Sequence, residues 1–447
     1  MKVEMPKAAG YIIETLMKHG YEAYIVGGCV RDSILGKQPQ DWDITTSATP
    51  EQTKSLFRRT VDTGIEHGTV TVMMDKVGYE VTTYRVDGKY EDHRRPKEVT
   101  FTASLLEDLK RRDFTINAMA YNDSEGLVDA FDGIGDLQKG VIRCVGTAQE
   151  RFNEDALRIL RAVRFAAQLD FEIEKETQRA IQEKAEFLQE ISAERIQVEL
   201  TKLITSAHPE KIIDAYRMGI TKIVLPEFDI MMETPQNNIH HCYSVGEHTI
   251  EVMRHIEASP VLRWAALLHD VAKPMCRTTD EEGSDHFYNH PKEGRTIAHQ
   301  VLRRLKLDND TIHRVERLVE WHDYGLDGNI TKKTLRKALY QMGPDLFDDF
   351  QKLRWADIMG QSDYRRENKV ESYQRLLQMQ KEIIDAEDCL SIKELKIDGK
   401  ALMQLGVKPG PVMGEILNAL LQKVIEEPDL NTEEQLTELA LEYYNKI

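Results

Sequence analysis

Cysteine is scarce and scattered in this chain of 447 residues: five, at positions 29, 144, 242, 276 and 389, with no C-x-x-C pair. That excludes a disulfide framework or a zinc ribbon and reads as reduced thiols in a cytosol. Basic excess is missing too. Lys and Arg number 59 against 76 Asp and Glu, a net charge of −17. A uniformly basic nucleic-acid coat is excluded, and any nucleic acid must be met by local patches. No apolar run approaches the roughly 20 residues of a membrane span. Residues 1–10 lack the apolar core of a signal peptide. There is no internal repeat and no low-complexity tract. What remains is a soluble, cytoplasmic chain, 41% hydrophobic, long enough for roughly three domains of about 150 residues.

The texture changes along the chain. An amphipathic stretch over 1–20 ends at Gly20, and an apolar run, Ala23 to Val26, is stopped by Gly27-Gly28. A second strand is expected at Asp41–Thr45 and further strands at Thr69–Met74 and Tyr79–Arg85. After Gly146 almost every segment has helical period. Pro226, Pro235 and Asn237-Asn238 punctuate one boundary; Asp327-Gly328-Asn329 and Gly343-Pro344 mark later turns. The fold class is α+β: a head with a small mixed sheet over 1–145, then all-α segments at 146–230, 231–350 and 351–447.

Gly27-Gly28-Cys29-Val30-Arg31-Asp32 follows a strand and opens a helix. Glycines there let backbone N–H groups approach an anion, and a helix N-terminus favours phosphate. Asp41-x-Asp43 comes next, and alternate residues of a strand share a face. Paired carboxylates suit Mg²⁺ bridging substrate phosphates. A lone Gly-Gly turn or D-x-D is common; the two in this order and spacing are not. The pattern resembles the nucleotidyltransferase superfamily, whose members join a nucleoside triphosphate to a hydroxyl. A third carboxylate usually completes such sites, and Glu80 is the candidate, although an ordinary surface glutamate would look the same.

Arg111-Arg112-Asp113-Phe114-Thr115-Ile116-Asn117 sets a basic pair beside an aspartate, suited to clamping phosphates or an RNA 3′ end. Glu154-Asp155-Ala156-Leu157-Arg158-Ile159-Leu160-Arg161 is expected on one helix starting near Asn153. Glu154, Arg158 and Arg161 then form one stripe, continued by Arg164 as a further cation. A helix-surface ion pair is the bland reading. The functional one is base recognition: cytosine and adenine both present an exocyclic amino donor beside a ring-nitrogen acceptor. A carboxylate and an arginine match that edge and mismatch uracil and guanine. Asp155 and Arg158 are the candidate readers.

With Ser192-Ala193-Glu194-Arg195-Ile196 added, five motifs stand in order over residues 22–200. Together they resemble the bacterial class II tRNA nucleotidyltransferase/poly(A) polymerase family. The resemblance implies template-independent addition of C, C and A to tRNA 3′ ends from CTP and ATP. It further implies a metal site at Asp41 and Asp43, and base selection by Asp155 and Arg158. Gly27, Gly28, Arg31 and Asp32 would shape the triphosphate and ribose site, with Arg111, Arg112, Asp113 and Asn117 beside them. The segment Tyr84–Pro96 matches a flexible loop that looks shortened in relatives adding only C. Here it is intact, which favours full CCA or A addition. An A-adding enzyme or poly(A) polymerase is the nearest alternative.

A second constellation lies in the helical part. His248, Leu267-Leu268-His269-Asp270, His290 and Trp321-His322-Asp323 combine imidazoles with carboxylates, a set suited to divalent metals. It resembles the HD phosphohydrolase superfamily. The resemblance implies a second metal at His248, His269, Asp270 and Asp323, with Lys273 as a phosphate ligand. Some relatives hydrolyse RNA phosphate ends with such a domain, and in others it is structural. Basic islands at Arg303/Arg304/Lys306, Lys332/Lys333/Arg336/Lys337 and Arg365/Arg366 are candidate contacts for the tRNA acceptor arm.

Overall fold

The structure is a computed structural model. It describes residues 2–446 except 89, 92–94, 97, 98, 238, 240, 241 and 326–329. The chain forms two compact units, Met1–Asp229 with Arg304–Leu307, and Ile230–Arg303 with Asp308–Ile447.

The first unit opens with helix Lys7–Lys18, shorter than the amphipathic stretch because Pro6 precedes its first turn and Gly20 takes positive φ after its last. Ile12, Ile13 and Leu16 are buried on one face of that helix. A seven-stranded mixed sheet follows, ordered Gly126–Asp129, Met119–Asn122, Ala23–Val26, Ile44–Thr46, Val77–Thr83, Thr69–Met74, Thr60–Gly64. Only Ile44–Thr46 and Val77–Thr83 run parallel, with Ile44 opposite Val81. Parallel neighbours need a crossover. It contains helix Pro50–Leu56, started by a Thr49/Gln52 capping box with Pro50 in the first turn.

Two expected strands differ from the observed ones. The strand expected over Asp41–Thr45 covers Ile44–Thr46, because its neighbour Ala23–Val26 ends at the Gly27 turn and Ile25–Ile44 is the last Cα pair. Asp41–Asp43 enter that strand, and the Asp43 carbonyl still accepts the Val26 N–H at 3.0 Å. The strand expected over Tyr79–Arg85 begins two residues earlier and covers Val77–Thr83. Of the Tyr84–Pro96 loop, residues 89 and 92–94 lie outside the described residues, as does any reshaping of a pocket by them. The Asp327-Gly328-Asn329 turn, Asn238 and His240 lie outside them as well.

Past Gly146 the first unit is helical. Helix Leu157–Leu169 packs on helix Ala193–Ile204, burying Leu160, Val163 and Ala167 against Ile196, Leu200 and Leu203. The second unit is built almost wholly of helices. Val245–Arg254 packs on Pro260–Leu268 and on Pro344–Gly360, and Pro260–Leu268 packs on Asn309–Trp321. Helix Pro344–Gly360 runs straight through position 350, where a boundary was expected. A separate apolar core toward the C-terminus joins Leu402, Ile416, Leu420, Val424 and Leu436.

Candidate active site and a buried histidine cluster

The two glycines sit where the strand must turn into the helix. Gly27 has φ +83°, the left-handed region that a side chain strains to adopt. A Cβ there would also come within 3.0 Å of Arg112 Nη1. Opposite this turn, Asp43 directly precedes Ile44, and Ile44 pairs with Val81. Asp43 and Glu80 are therefore neighbours on one face of the parallel pair, with Asp41 two residues before Asp43. The register thus brings Glu80 beside Asp43 from another strand.

Their charges act on one another. Partial desolvation raises the Asp43 carboxyl above its usual range; Arg112 pulls it down, and Glu80 and Asp41 push it up again. Three mutually repelling carboxylates open to solvent suit a hard divalent cation. Asp41, Asp43 and Glu80 are all exposed.

Arg111 and Arg112 owe their positions to a residue that sequence reading passed over. Asp108 is fully buried, 2.8 Å from Arg111 Nη2 and 3.5 Å from Arg112 Nη2. Thr45 Oγ1 donates to it at 3.1 Å from the strand that follows Asp43. Burial alone would raise the Asp108 carboxyl, but the two guanidiniums and the Thr45 hydroxyl outweigh it and hold it below the usual range.

A continuous polar chain runs from the glycine turn to helix Leu157–Leu169. Asp32 accepts from Arg31 Nε at 2.8 Å; Arg31 Nη1 donates to Asn117 Oδ1 at 2.7 Å; Asn117 Nδ2 donates to Asp113 Oδ1 at 3.3 Å. Asp113 also accepts from Arg161 Nε at 2.7 Å and from the Phe114 N–H at 2.8 Å. Burial opposes the Asp113 charge, yet Arg161 and Arg158 more than compensate and bring its pKa down to about 2. Arg164 is held at 2.7 Å by Glu199, and burial lowers its pKa to about 10. The ring of Phe165 carries Arg31, Arg161 and Arg164 guanidiniums at 5.1, 5.4 and 3.8 Å from its centroid.

The expected single helix over Glu154–Arg161 is two helices. Ala148–Glu154 ends, Asp155 is extended (φ −141°, ψ 105°), and Leu157–Leu169 begins. Asp155 Oδ1 accepts the Leu157 N–H at 3.1 Å, an Asx-type turn that competes with helix continuation. The break separates the two candidate base readers. Asp155 Oδ2 pairs with Arg195 at 2.7 Å, whereas Arg158 pairs with Glu154 at 2.5 Å and donates to the Arg111 carbonyl at 2.9 Å. Arg195 and Glu199, one helical turn apart, hold Asp155 and Arg164 respectively. Arg195 stood in the Ser192–Ile196 motif, but nothing there told which partner it meets, and Glu199 lies beyond that motif.

In the second unit, four imidazoles converge. His269 Nε2 lies 3.3 Å from His248 Nε2, and His290 Nε2 lies 3.2 Å from His322 Nε2. Asp270 sits between the pairs, within 3.1 to 3.5 Å of all four. Asp323 is 3.3 Å from His290 and 3.4 Å from His322. Asp357, unforeseen from sequence, is 3.1 Å from His248. Lys273 Nζ is 2.8 Å from Asp270 and 2.9 Å from Gln236 Oε1. Of the basic islands, Arg336 is buried against Asp388 at 3.0 Å, and Lys332 and Lys333 pair with Glu382 and Glu426.

A strand-edge carboxylate triad beside a glycine turn, followed by a helix studded with arginines, defines a nucleotidyltransferase head on a helical chain. Comparison with known proteins agrees. Residues 23–143 match the poly(A) polymerase head domain, residues 170–232 the probable RNA and SrmB-binding site of polymerase A, and residues 291–440 the tRNA nucleotidyltransferase domain 2. The CCA-adding enzyme of Levilactobacillus brevis is 39% identical over 415 residues, 93% of this chain and 92% of that one. That of Lactiplantibacillus plantarum is 37% identical over 438 residues, 97% and 95%. The crystal structure of the Bacillus stearothermophilus CCA-adding enzyme in complex with CTP aligns over 99% of both chains, with 28% identity and a TM-score of 0.74. The chain belongs to the family of CCA-adding enzymes, bacterial class II tRNA nucleotidyltransferases. Among the described residues no helix is long and apolar enough to cross a membrane.

Proposed function

We propose that this chain adds C, C and A in turn to the 3′ end of tRNA, using CTP and ATP and no template. The observation that carries the reading is the Asp41/Asp43/Glu80 face beside the Gly27-Gly28 turn and Arg112, in a chain of this family. The tRNA 3′-hydroxyl attacks the α-phosphorus; the new phosphodiester bond forms as the bond to pyrophosphate breaks, and the hydroxyl proton leaves to solvent. No side-chain nucleophile is required, so catalysis is positioning and charge stabilisation.

Asp41, Asp43 and Glu80 are the residues to hold Mg²⁺, which would sharpen the attacking hydroxyl and offset charge on the triphosphate. Gly27 leaves room for Arg112, and Arg112 with Arg111 faces phosphate. Arg31 and Asp32 line the ribose side, braced through Asn117, Asp113 and Arg161. Asp155 accepts from the base's exocyclic amino group and Arg158 donates to its ring nitrogen. Their separate anchors, Arg195 and Glu154, fix each independently. Phe165 carries Arg31, Arg161 and Arg164 on its ring, and Asp32, Asp113 and Glu199 pair their charges, so the cluster holds Arg31 in place.

The domains we assign are the head, 1–145, the helical nucleotide-reading segment, 146–230, a histidine domain extending from 231 through Gly360, and a helical tail. The histidine domain binds divalent metal, since it offers buried imidazoles and carboxylates in one place. The chain acts in the cytoplasm, where tRNA and nucleoside triphosphates are. The test is incorporation from each α-labelled nucleoside triphosphate into transcripts ending at the discriminator base, at C and at CC. Growth by C, C, A and a halt is the expected result. Extension of the CC-ended transcript alone, by one A or a long tract, replaces it with an A-adding enzyme or poly(A) polymerase.

A further inference from the structure

We infer that the sheet face carrying the carboxylates continues into a hydroxyl pair, Thr63 and Thr71, which receives the 2′-hydroxyl of the acceptor's terminal ribose. The pair thereby makes the chain prefer an RNA end to a DNA end. The inference rests on the nucleotidyl-transfer reading of the site and goes beyond it by naming the residues that meet the acceptor.

Strand order fixes what lies on either side of the carboxylates. Across the sheet come Ala23–Val26 with its glycine turn, Ile44–Thr46 entered by Asp43, Val77–Thr83 with Glu80, Thr69–Met74, and the edge strand Thr60–Gly64. Thr71 stands directly opposite Glu80 in the antiparallel pair, so the two side chains share a face. The opposite face belongs to the core, where Val70, Val72, Tyr79 and Val81 are buried. On the edge strand the register slips between Val61 and Gly64. Bulges beside active sites re-aim a side chain, and here the Thr63 hydroxyl lies 2.8 Å from that of Thr71. Thr71 is 9% exposed and Thr63 is exposed, so Thr63 is the outer member of the pair. The row reads glycine turn, Asp43, Glu80, Thr71, Thr63.

Displacement at phosphorus sets the attacking and leaving oxygens roughly in line, on opposite sides. The triphosphate with its departing pyrophosphate belongs to the Gly27 and Arg112 side. The attacking 3′-hydroxyl therefore comes from the far side, over Glu80 and toward Thr71. Its ribose carries the 2′-hydroxyl on the adjacent carbon, and the strand bearing Thr71 is only about 4.8 Å from the one bearing Glu80. Two hydroxyls in contact use one proton between them, which leaves a second proton and free lone pairs. Such a pair suits a group that both donates and accepts, as a 2′-hydroxyl does. That hydroxyl is what lets a protein tell RNA from DNA at a given site. The incoming nucleotide's ribose lies on the side of Arg31 and Asp32, so the two sugars are read by different elements.

The test uses two tRNA acceptors ending at the discriminator base, identical except that the terminal nucleotide of one is 2′-deoxy. Addition of the first C is measured for the native chain and for Thr63→Val/Thr71→Val. Valine keeps the branched shape and strand preference of threonine and removes the hydroxyls. The native chain should favour the ribose end by about tenfold or more in kcat/KM. The double variant should lose about tenfold on the ribose-ended acceptor, stay within about twofold on the deoxy-ended one, and keep its KM for CTP. Thr63→Ser, which retains a hydroxyl, should keep the preference. A native chain that extends both acceptors equally overturns the inference and leaves CCA addition standing. Equal loss on both acceptors in the double variant makes the pair structural and overturns it too. No extension of either acceptor by the native chain overturns the nucleotidyl-transfer reading along with it.

Discussion

Asp113 is the joint of the polar chain between the glycine turn and the arginine helix, and its replacement by Asn has a magnitude that follows from the structure. The carboxyl titrates at about 2 when folded, against its ordinary 3.8. That gap, at 1.36 kcal/mol per pKa unit, is worth about 2.5 kcal/mol. Its folded pKa is depressed, so the contribution is complete above the unfolded value and is lost as pH falls toward 2. Asp113→Asn should therefore destabilise the first unit by about 2–3 kcal/mol at pH 7, because Arg161 remains buried without its nearest carboxylate. The difference between native and variant chains should hold from pH 7 to 5 and shrink to about half by pH 3. Urea titrations at each pH, read by pulsed hydrogen exchange of the Leu157–Leu169 helix, measure it. A difference below about 0.5 kcal/mol at pH 7, or one that stays constant down to pH 3, refutes the reasoning.

Arg195→Ala releases the Asp155 carboxylate, and incorporation of U and G relative to C and A should rise at least about fivefold; unchanged selectivity would confine the Arg195 pair to folding. Gly27→Ala places a Cβ at 3.0 Å from Arg112 Nη1 on a backbone at φ +83°, and kcat/KM for CTP should fall by about tenfold or more. A variant within twofold of the native chain contradicts this. Arg336→Ala removes donors to the Ile425 carbonyl at 2.8 Å and to Asp388 at 3.0 Å. It should cost about 3 kcal/mol in amide protection of helix Pro411–Glu426 and leave the first unit's protection unchanged.

How far the sequence reached depended on whether each group's partner was local. The glycine turn, Asp41 and Asp43 were legible because turn, strand edge and carboxylates follow one another within a few residues. Glu80 was reachable because strand pairing is a regular repeat, although the parallel register that sets Ile44 against Val81, and so Glu80 beside Asp43, was not. Asp108 was hidden: nothing in Asp108-Leu109-Lys110-Arg111-Arg112 says that the aspartate is buried under Thr45. Asp357 was hidden more deeply, since it reaches His248 only because helix Pro344–Gly360 packs across Val245–Arg254. Asp323 stood out by adjacency to His322.

The Glu154–Arg161 stretch shows the same limit in reverse. Its spacing fits a continuous helix face so well that periodicity gives no reason to break it. The break comes from a single local competition, the Asp155 carboxylate taking the Leu157 N–H. Once the helix stops there, Asp155 and Arg158 no longer face each other as an i, i+3 pair. Each is held by a different neighbour, Arg195 from helix Ala193–Ile204 and Glu154 from the preceding helix. Two groups that must read two atoms of one base edge work best when they do not neutralise each other. The turn that breaks the expected helix is therefore what leaves a carboxylate and a guanidinium separately anchored, the arrangement on which the proposed reading of a cytosine or adenine edge relies.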